Sequence, residues 1–269
     1  MSEPLILVER DRDVAIVTFN DPQRLNAMSQ AMGAAFAAQV VTLGSDDALR
    51  AVILTGAGRA FSAGGDLDMI QQRADEGAAA PGIARRGIRD SMRSFYKLFL
   101  SVRDLPCPTL AAINGAAVGA GFCVALACDV RIASSKAKLG LNFTRIGLHP
   151  GMGATWTLPR LVGPAHAAEI LYSSRLFTGE EAAQIGLVNR ALEPDSVVAA
   201  TRDLANEFAS NAPAAVRATK RALARSFGAT LENQLSFEAH EQAICFETQD
   251  AQEGIAAAVD RRAPKFSGI

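Results

Sequence analysis

The chain predicts an α/β fold, and three observations carry that reading. Apolar runs of strand length recur at DVAIVTFN (13–20), AVILTG (51–56), TLAAIN (109–114) and VRIAS (130–134). Between the first two, Met28, Met32, Phe36 and Val40 fall four residues apart, the spacing that keeps one helical face apolar. An Ala-rich segment ahead of the fourth run fits a short buried helix, so strands and helices alternate through the first half of the chain.

The remaining elements follow in chain order. LPCP (105–108) supplies a turn before the third strand. Residues 71–87, QQRADEGAAAPGIARRG, mix Gly, Pro, Ala and charges without apolar periodicity and read as a mobile surface segment. A helix follows, with Ile88, Met92, Phe95, Phe99 and Val102 on one stripe. Beyond about residue 163 the pattern turns helical. Thr178 with Glu181, and Asp250 with Glu253, have capping-box spacing, so helices are expected to begin there. Apolar positions such as Leu204, Phe208, Leu223, Leu235 and Val259 then mark a helical tail that covers the core or packs on another subunit. The expected division is a mixed region over 1–195 and a helical region over 196–269.

Composition excludes several classes. The chain has 269 residues, of which 49% are hydrophobic and 20% charged, which describes a soluble protein with a sizeable core. A formal net charge of −1 leaves no global positive excess for a nucleic acid. No apolar stretch approaches 18 residues, and MSEPLILVERDRD reaches charges before a signal-like region develops, so no membrane partner and a cytoplasmic location are expected. Cys107, Cys123, Cys128 and Cys245 form no CxxC pair and do not cluster with the three histidines, so they read as reduced thiols and no metal is expected.

Two glycine-rich stretches carry the chemistry. In AFSAGGDLDM (60–69) a strand feeds a loop where Gly64 and Gly65 remove side chains, so a backbone N–H can approach a ligand oxygen. In INGAAVGAGFCVALACD (113–129) a strand end runs into a helix, which leaves the N–H groups around Ala120 and Gly121 unpaired at the positive end of a dipole. Two backbone donors aimed at one point make an oxyanion hole for charge developing on a carbonyl oxygen. The competing reading of either stretch is turns and tight packing. Nucleotide binding is disfavoured: there is no GxxxxGK[ST], and Gly115, Gly119 and Gly121 are spaced GxxxGxG rather than GxGxxG.

With RLNAM, LTGAGRAFSAGGDL, PTLAAINGAAVGAGFCVALACDVRIAS, IGLHPGMGATWTLPRLVG, TGEEAAQIGLVNRAL and RRAPKF in order, the chain resembles the enoyl-CoA hydratase/isomerase, or crotonase, superfamily from about residue 10 to 266. The resemblance implies a spiral of ββα units over 1–195, followed by a helical C-terminal region that makes homotrimers or dimers of trimers. It implies an acyl-CoA thioester substrate whose oxygen is held by the N–H groups of Gly65 and Ala120. It sets CoA against Arg24, Leu25 and Ala27, places the adenine near Ala63, Asp66 and Leu67, and brings Arg261 to a CoA phosphate. No cofactor beyond the CoA moiety of the substrate is implied. From the residues alone, Asp66 reads more simply as a helix or loop cap.

The family pattern then fails at the acid/base positions. Cys123 and Phe143 stand where hydratases of the family carry two glutamates, and Gly151 stands where a branch of ring-opening isomerases carries an aspartate. Two-glutamate hydration is therefore not expected. His149, two residues before Gly151, is a catalytic candidate because a neutral imidazole takes a proton at physiological pH. Cys123 is a second candidate if the helix N-terminus lowers its pKa. Tyr96 and Arg85, Arg86 or Arg89 are candidates for an acyl pocket, while His166 and His240 read as structural or exposed. The expected function is an acyl-CoA enzyme that stabilises a thioester enolate during double-bond isomerisation or hydration. The alternative is an acyl-CoA-binding protein with little turnover.

Overall fold

A computed structural model describes residues 3–269. The apolar runs of the sequence become two sheets. In the first, β1 (Ile6–Asp11) pairs antiparallel with β2 (Val14–Phe19), and β3 (Ala51–Gly56) lies parallel to β2 with Ile16 opposite Ile53. In the second lies β4 (Ala60–Ser62), which ends at the glycine loop.

The chain passes repeatedly from one sheet to the other and then into a helix. After α1 (Gln30–Gly44), β3 and β4 lead into α2 (Leu67–Ala79) and α3 (Arg85–Leu100). Next, β5 (Thr109–Ile113) and β6 (Ala116–Val118) lead into α4 (Ala120–Ala127). Then β7 (Val130–Ser134) and β8 (Lys138–Gly140) lead into α5 (Ala154–Ser173), which kinks at Gly163. These passes are the ββα spiral. Short β9 (Phe177–Thr178), α6 (Gly179–Gln184) and β10 (Arg190–Leu192) complete sheets of order β1-β2-β3-β5-β7-β10 and β4-β6-β8-β9. Helices α7 (Val197–Ala209), α8 (Pro213–Ser226), α9 (Leu231–Phe246) and α10 (Gln249–Asp260) follow.

Burial on both faces explains why the central strands read as continuous apolar runs rather than alternating ones. Val52, Leu54, Ala111 and Ile113 face a core shared with α1, α3 and α4, in which Phe19, Phe36, Phe61, Phe95 and Phe99 pack. Ile53, Leu110, Ala112 and Ile132 face the other side, where Val197 and Ala205 of α7 cover them. The expected boundary at 195/196 thus falls at the start of α7, which is part of the sheet's own packing.

Three element expectations are corrected. Met28 lies outside α1: Ser29 caps that helix by accepting from the Met32 N–H at 3.1 Å, and Met28 instead bridges to Gly65. Residues 71–87 are largely helical, because α2 runs to Ala79 and α3 begins at Arg85. Helix α2 buries no residue, so it has no apolar stripe to read. An Asp66 cap and the Gln71–Asp75 and Gln72–Glu76 side-chain bonds, at 2.8 and 3.0 Å, support it. The Thr178–Glu181 capping box is present, whereas α10 is capped by Thr248. Asp250 is buried in its first turn and accepts from the N–H groups of Ser267 and Gly268. Glu253 holds Arg262 and the Lys265 N–H, so both residues serve to fasten the C-terminal tail.

Candidate active site

The site is built where the loops after β4 and β6 meet. Upstream of it, Leu25 and Asn26 take positive φ angles of 52° and 56°, a tight turn that needs an internal support. Asn26 provides it. Fully buried, it donates through Nδ2 to the Ala57 and Ala60 carbonyls at 2.9 and 2.8 Å and accepts the Asp21 N–H at 2.9 Å. The Asn26 carbonyl in turn accepts from Ser62 Oγ at 2.7 Å, which ties the turn to the end of β4.

This support shapes the glycine loop. The Met28 N–H donates to the Gly64 carbonyl at 2.7 Å, and the Asp66 N–H donates to the Met28 carbonyl at 3.1 Å. In such a bridge the N–H of the intervening residue, Gly65, points away, and it finds no acceptor among the described residues. Gly64 has a φ of +100°, and a Cβ there would stand 2.6 Å from the Val118 carbonyl oxygen and 3.6 Å from the Ala120 nitrogen. The close approach of the two loops therefore requires glycine at 64.

The second donor comes from the start of α4. The Gly119 N–H donates to the Gly140 carbonyl at 2.8 Å, with Gly119 at a φ of +53°, and the helix begins at Ala120. Every residue of α4 is buried. A Cβ at Gly121 would meet Ser62 at 2.6 to 2.7 Å, so α4 is seated directly on β4. The Ala120 N–H, like that of Gly65, has no acceptor among the described residues and carries the positive end of the helix.

Around this pair the other expected residues are distributed unevenly. Arg24 and Asp66 form an ion pair at 2.5 Å, and Asp66 also caps α2 by accepting the Asp68 N–H at 2.9 Å. Burial alone would raise the Asp66 carboxyl. The Arg24 hydrogen bond and the Met69 and Asp68 N–H groups outweigh it and hold the group below its ordinary range. Ala63 and Leu67 are exposed on the same loop, Leu25 and Ala27 are half-buried, and the Ala63 N–H donates to the Leu25 carbonyl at 2.9 Å. The 24–27 and 63–67 segments thus form one surface. Arg261 is not brought to it: it is exposed at the end of α10, and its side chain has no hydrogen bond or ion pair with a described residue.

The acid/base candidates diverge. Cys123 is buried with Sγ 3.7 Å from the Gly151 carbonyl, and burial pushes its thiol up, which overturns the expectation of a lowered pKa. Buried Cys107 and Cys128 are likewise pushed up, to about 11 and about 12. Phe143 packs against the core. His149 is exposed, with Nδ1 2.8 Å from the Pro150 carbonyl. Gly151 is buried beneath Tyr96, and a Cβ there would lie 2.9 Å from Tyr96 Cζ. Among the described residues no group of three metal-ligating side chains is present, and no helix is long and apolar enough to cross a membrane. His166 and His240 are exposed.

Sequence reasoning missed Asn26, Ser62 and Met28, which aim the loops rather than touch a ligand. RLNAM displayed Asn26 without a reason for it. A cavity of about 740 Å³ lies elsewhere, at the far end of α4 between Trp156, Arg160, Leu223 and Phe227; it reflects the gap between α5 and α8 rather than the clamp.

Comparisons with known proteins identify the family and the fold. The enoyl-CoA hydratase/isomerase family model matches residues 9–268. A short-chain-enoyl-CoA hydratase of Clostridium acetobutylicum is 34% identical over 259 residues, covering 96% of this chain and 95% of that one. A 1,2-epoxyphenylacetyl-CoA isomerase of Escherichia coli is 32% identical, with 98% of each chain covered. A solved enoyl-CoA hydratase of Bacillus anthracis superposes with a TM-score of 0.87 at 33% identity, covering 98% of this chain and 100% of that one. On its sequence, its spiral and its paired glycine loops, the chain belongs to the enoyl-CoA hydratase/isomerase family.

Proposed function

We propose that the protein is an acyl-CoA enzyme of the hydratase/isomerase kind, in which the N–H groups of Gly65 and Ala120 hold the thioester oxygen as an enolate forms. The observation that carries this is the pair of unpaired N–H groups on two loops pressed together at Gly64. A donor of this type is worth ~3 kcal/mol of barrier. Arg24, Leu25, Ala27, Ala63, Asp66 and Leu67 form the surface for the CoA moiety, and no other cofactor enters. Arg24 remains half exposed despite its bond to Asp66, so its guanidinium can reach a phosphate. Arg261 reaches CoA from a neighbouring subunit in a trimer or dimer of trimers. The exposed Leu231, Phe246, Ile255 and Val259 of α9 and α10 supply apolar surface for that assembly. The location is cytoplasmic.

Two-glutamate hydration is not the chemistry of this site, which belongs with the branch lacking both glutamates. Cys123, Phe143 and Gly151 carry no carboxylate, and the raised Cys123 thiol does not serve as a base near neutral pH. His149 is the proton-accepting group of the neighbouring loop.

Mass spectrometry after incubation with saturated, 2-enoyl, 3-enoyl and aromatic acyl-CoA esters in deuterated water tests the reading. Deuterium incorporation or a shifted double bond is expected, with little hydration of crotonyl-CoA, and both signals should fall in His149→Ala. Ester binding without exchange would replace the enzyme by an acyl-CoA-binding protein. Efficient crotonyl-CoA hydration would show that another group replaces the glutamates.

A further inference from the structure

The wall of the site beyond Ala120 contains a polar group that the protein leaves unused. Cys123 lies one turn along α4 from Ala120, and its Sγ contacts the Gly151 carbonyl at 3.7 Å. Over Gly151 stands the hydroxyl of Tyr96, in the space that a side chain at 151 would take, with Tyr96 Cζ 2.9 Å from the position of a Cβ. Tyr96 is half-buried and its ring packs on the main core, so the hydroxyl is held in place. That hydroxyl has no hydrogen bond with any described residue. Burial raises its pKa and the nearby Cys123 adds to the rise, so it carries its proton at neutral pH and acts as a donor.

A neighbouring donor is also in surplus. Arg73 of α2 bonds Met69 O and Ser91 Oγ through its terminal nitrogens at 3.5 and 2.6 Å, while its buried Nε–H has no acceptor. Its charge is felt at Tyr96. Beside Cys123 and Gly151 the protein thus places a phenol O–H with no hydrogen bond to a described residue and, near it, a guanidinium with a spare N–H.

A hydrocarbon acyl chain packed against this wall would bury a phenol O–H without a partner, a state that costs free energy in every complex. An acyl chain carrying an oxygen would pair it. We propose that Tyr96 is the specificity-determining residue of the acyl pocket, donating a hydrogen bond to an acceptor oxygen on the acyl chain, so that the protein takes oxygen-bearing acyl-CoA esters in preference to plain hydrocarbon ones. The inference rests on the acyl-CoA reading of the preceding subsection and names its substrate class.

The experiment is equilibrium binding by calorimetry of hexanoyl-CoA and three isosteric ethers in which oxygen replaces the β, γ or δ methylene. One ether is expected to bind about 5- to 10-fold more tightly than hexanoyl-CoA. Tyr96→Phe, which keeps the ring in the core, should abolish that preference while leaving hexanoyl-CoA affinity within twofold or improving it. Equal binding of all four esters to the wild-type protein, or a preference that survives in Tyr96→Phe, would overturn the inference and leave the acyl-CoA reading standing. If neither the esters nor CoA itself binds, the acyl-CoA reading falls and this inference with it.

Discussion

Substitution of Gly64 by Ala tests whether the contact between the two glycine loops is what aims the backbone donors. At a φ of +100° an L residue is strained, which costs about 1–3 kcal/mol. The added Cβ also falls 2.6 Å from the Val118 carbonyl oxygen, where ordinary contact begins near 3.4 Å, so the loops must part by most of an ångström. With unfolding entropy scaling with chain length, 2–3 kcal/mol corresponds to a fall in Tm of roughly 4–6 °C. Displacement on that scale in a reacting geometry costs about 10²-fold in rate. Deuterium exchange at the acyl α-carbon, followed by mass spectrometry, should therefore drop about 10²-fold. Gly82→Ala is the control: its φ is +82°, but nothing lies within 4 Å of its Cβ, so it should lower Tm by roughly 2–4 °C and leave exchange intact. Exchange by Gly64→Ala at the wild-type rate would refute the idea that this close approach aligns the Gly65 and Ala120 N–H groups.

Asn26→Ala should remove at least 3 kcal/mol of stability, seen as a lower urea midpoint, because it strands two carbonyls and one N–H inside the turn; Asn26→Asp should do little better, since a carboxylate cannot donate to Ala57 and Ala60. Arg262 and the Lys265 N–H hold Glu253 ionised down to about pH 2, so its contribution is complete above its ordinary 4.5 and is lost as pH falls from there towards 2. Glu253→Gln should accordingly make proteolysis of the 262–269 tail fast at neutral pH and flatten its acid dependence. Iodoacetamide at pH 8 should label half-buried Cys245 well before Cys107, Cys123 or Cys128, as mapped by peptide mass spectrometry; labelling of Cys123 at the rate of a free thiol would contradict its burial. Gly151→Asp should destabilise the wild type far more than a Tyr96→Ala background, with a coupling of about 1–3 kcal/mol in urea denaturation, whereas additive effects would show that Tyr96 is not what fills that space.

Strands and glycine loops were legible because their physics is local. Val52, Ile53 and Leu54 announce a strand covered on both faces, and successive glycines announce a backbone that must come close to something. Helix α2 was illegible because the amphipathic signal depends on burial, and this helix has no fully buried residue, only Met69 packing partly on the core; Asp66 at its start and pairs along its exposed surface support it. Asp250 misled for a related reason. Capping-box spacing describes only neighbours in sequence, while the partners of Asp250 and Glu253 lie 9 to 18 residues away in the tail. At the candidate site, glycine spacing and resemblance pointed to Gly65 and Ala120, whose N–H groups have no acceptor among the described residues. The role of Asn26 depends on carbonyls 31 and 34 residues away and becomes visible only in three dimensions.

The three positions without carboxylates belong to one arrangement rather than to three separate changes. A carboxylate at 123 would be buried in α4, where the structure places the Gly151 carbonyl against the side chain. A side chain at 151 would have to displace Tyr96, and Phe143 packs on the core nearby in sequence. Each neutral residue thus removes a reason for its neighbour to be charged. For the oxyanion role proposed for Gly65 and Ala120, a neutral lining of this kind would strengthen the pull of their N–H dipoles on a developing enolate. With no carboxylate at these three positions, the proposed chemistry needs a proton acceptor outside this lining, and exposed His149 is the group proposed for it.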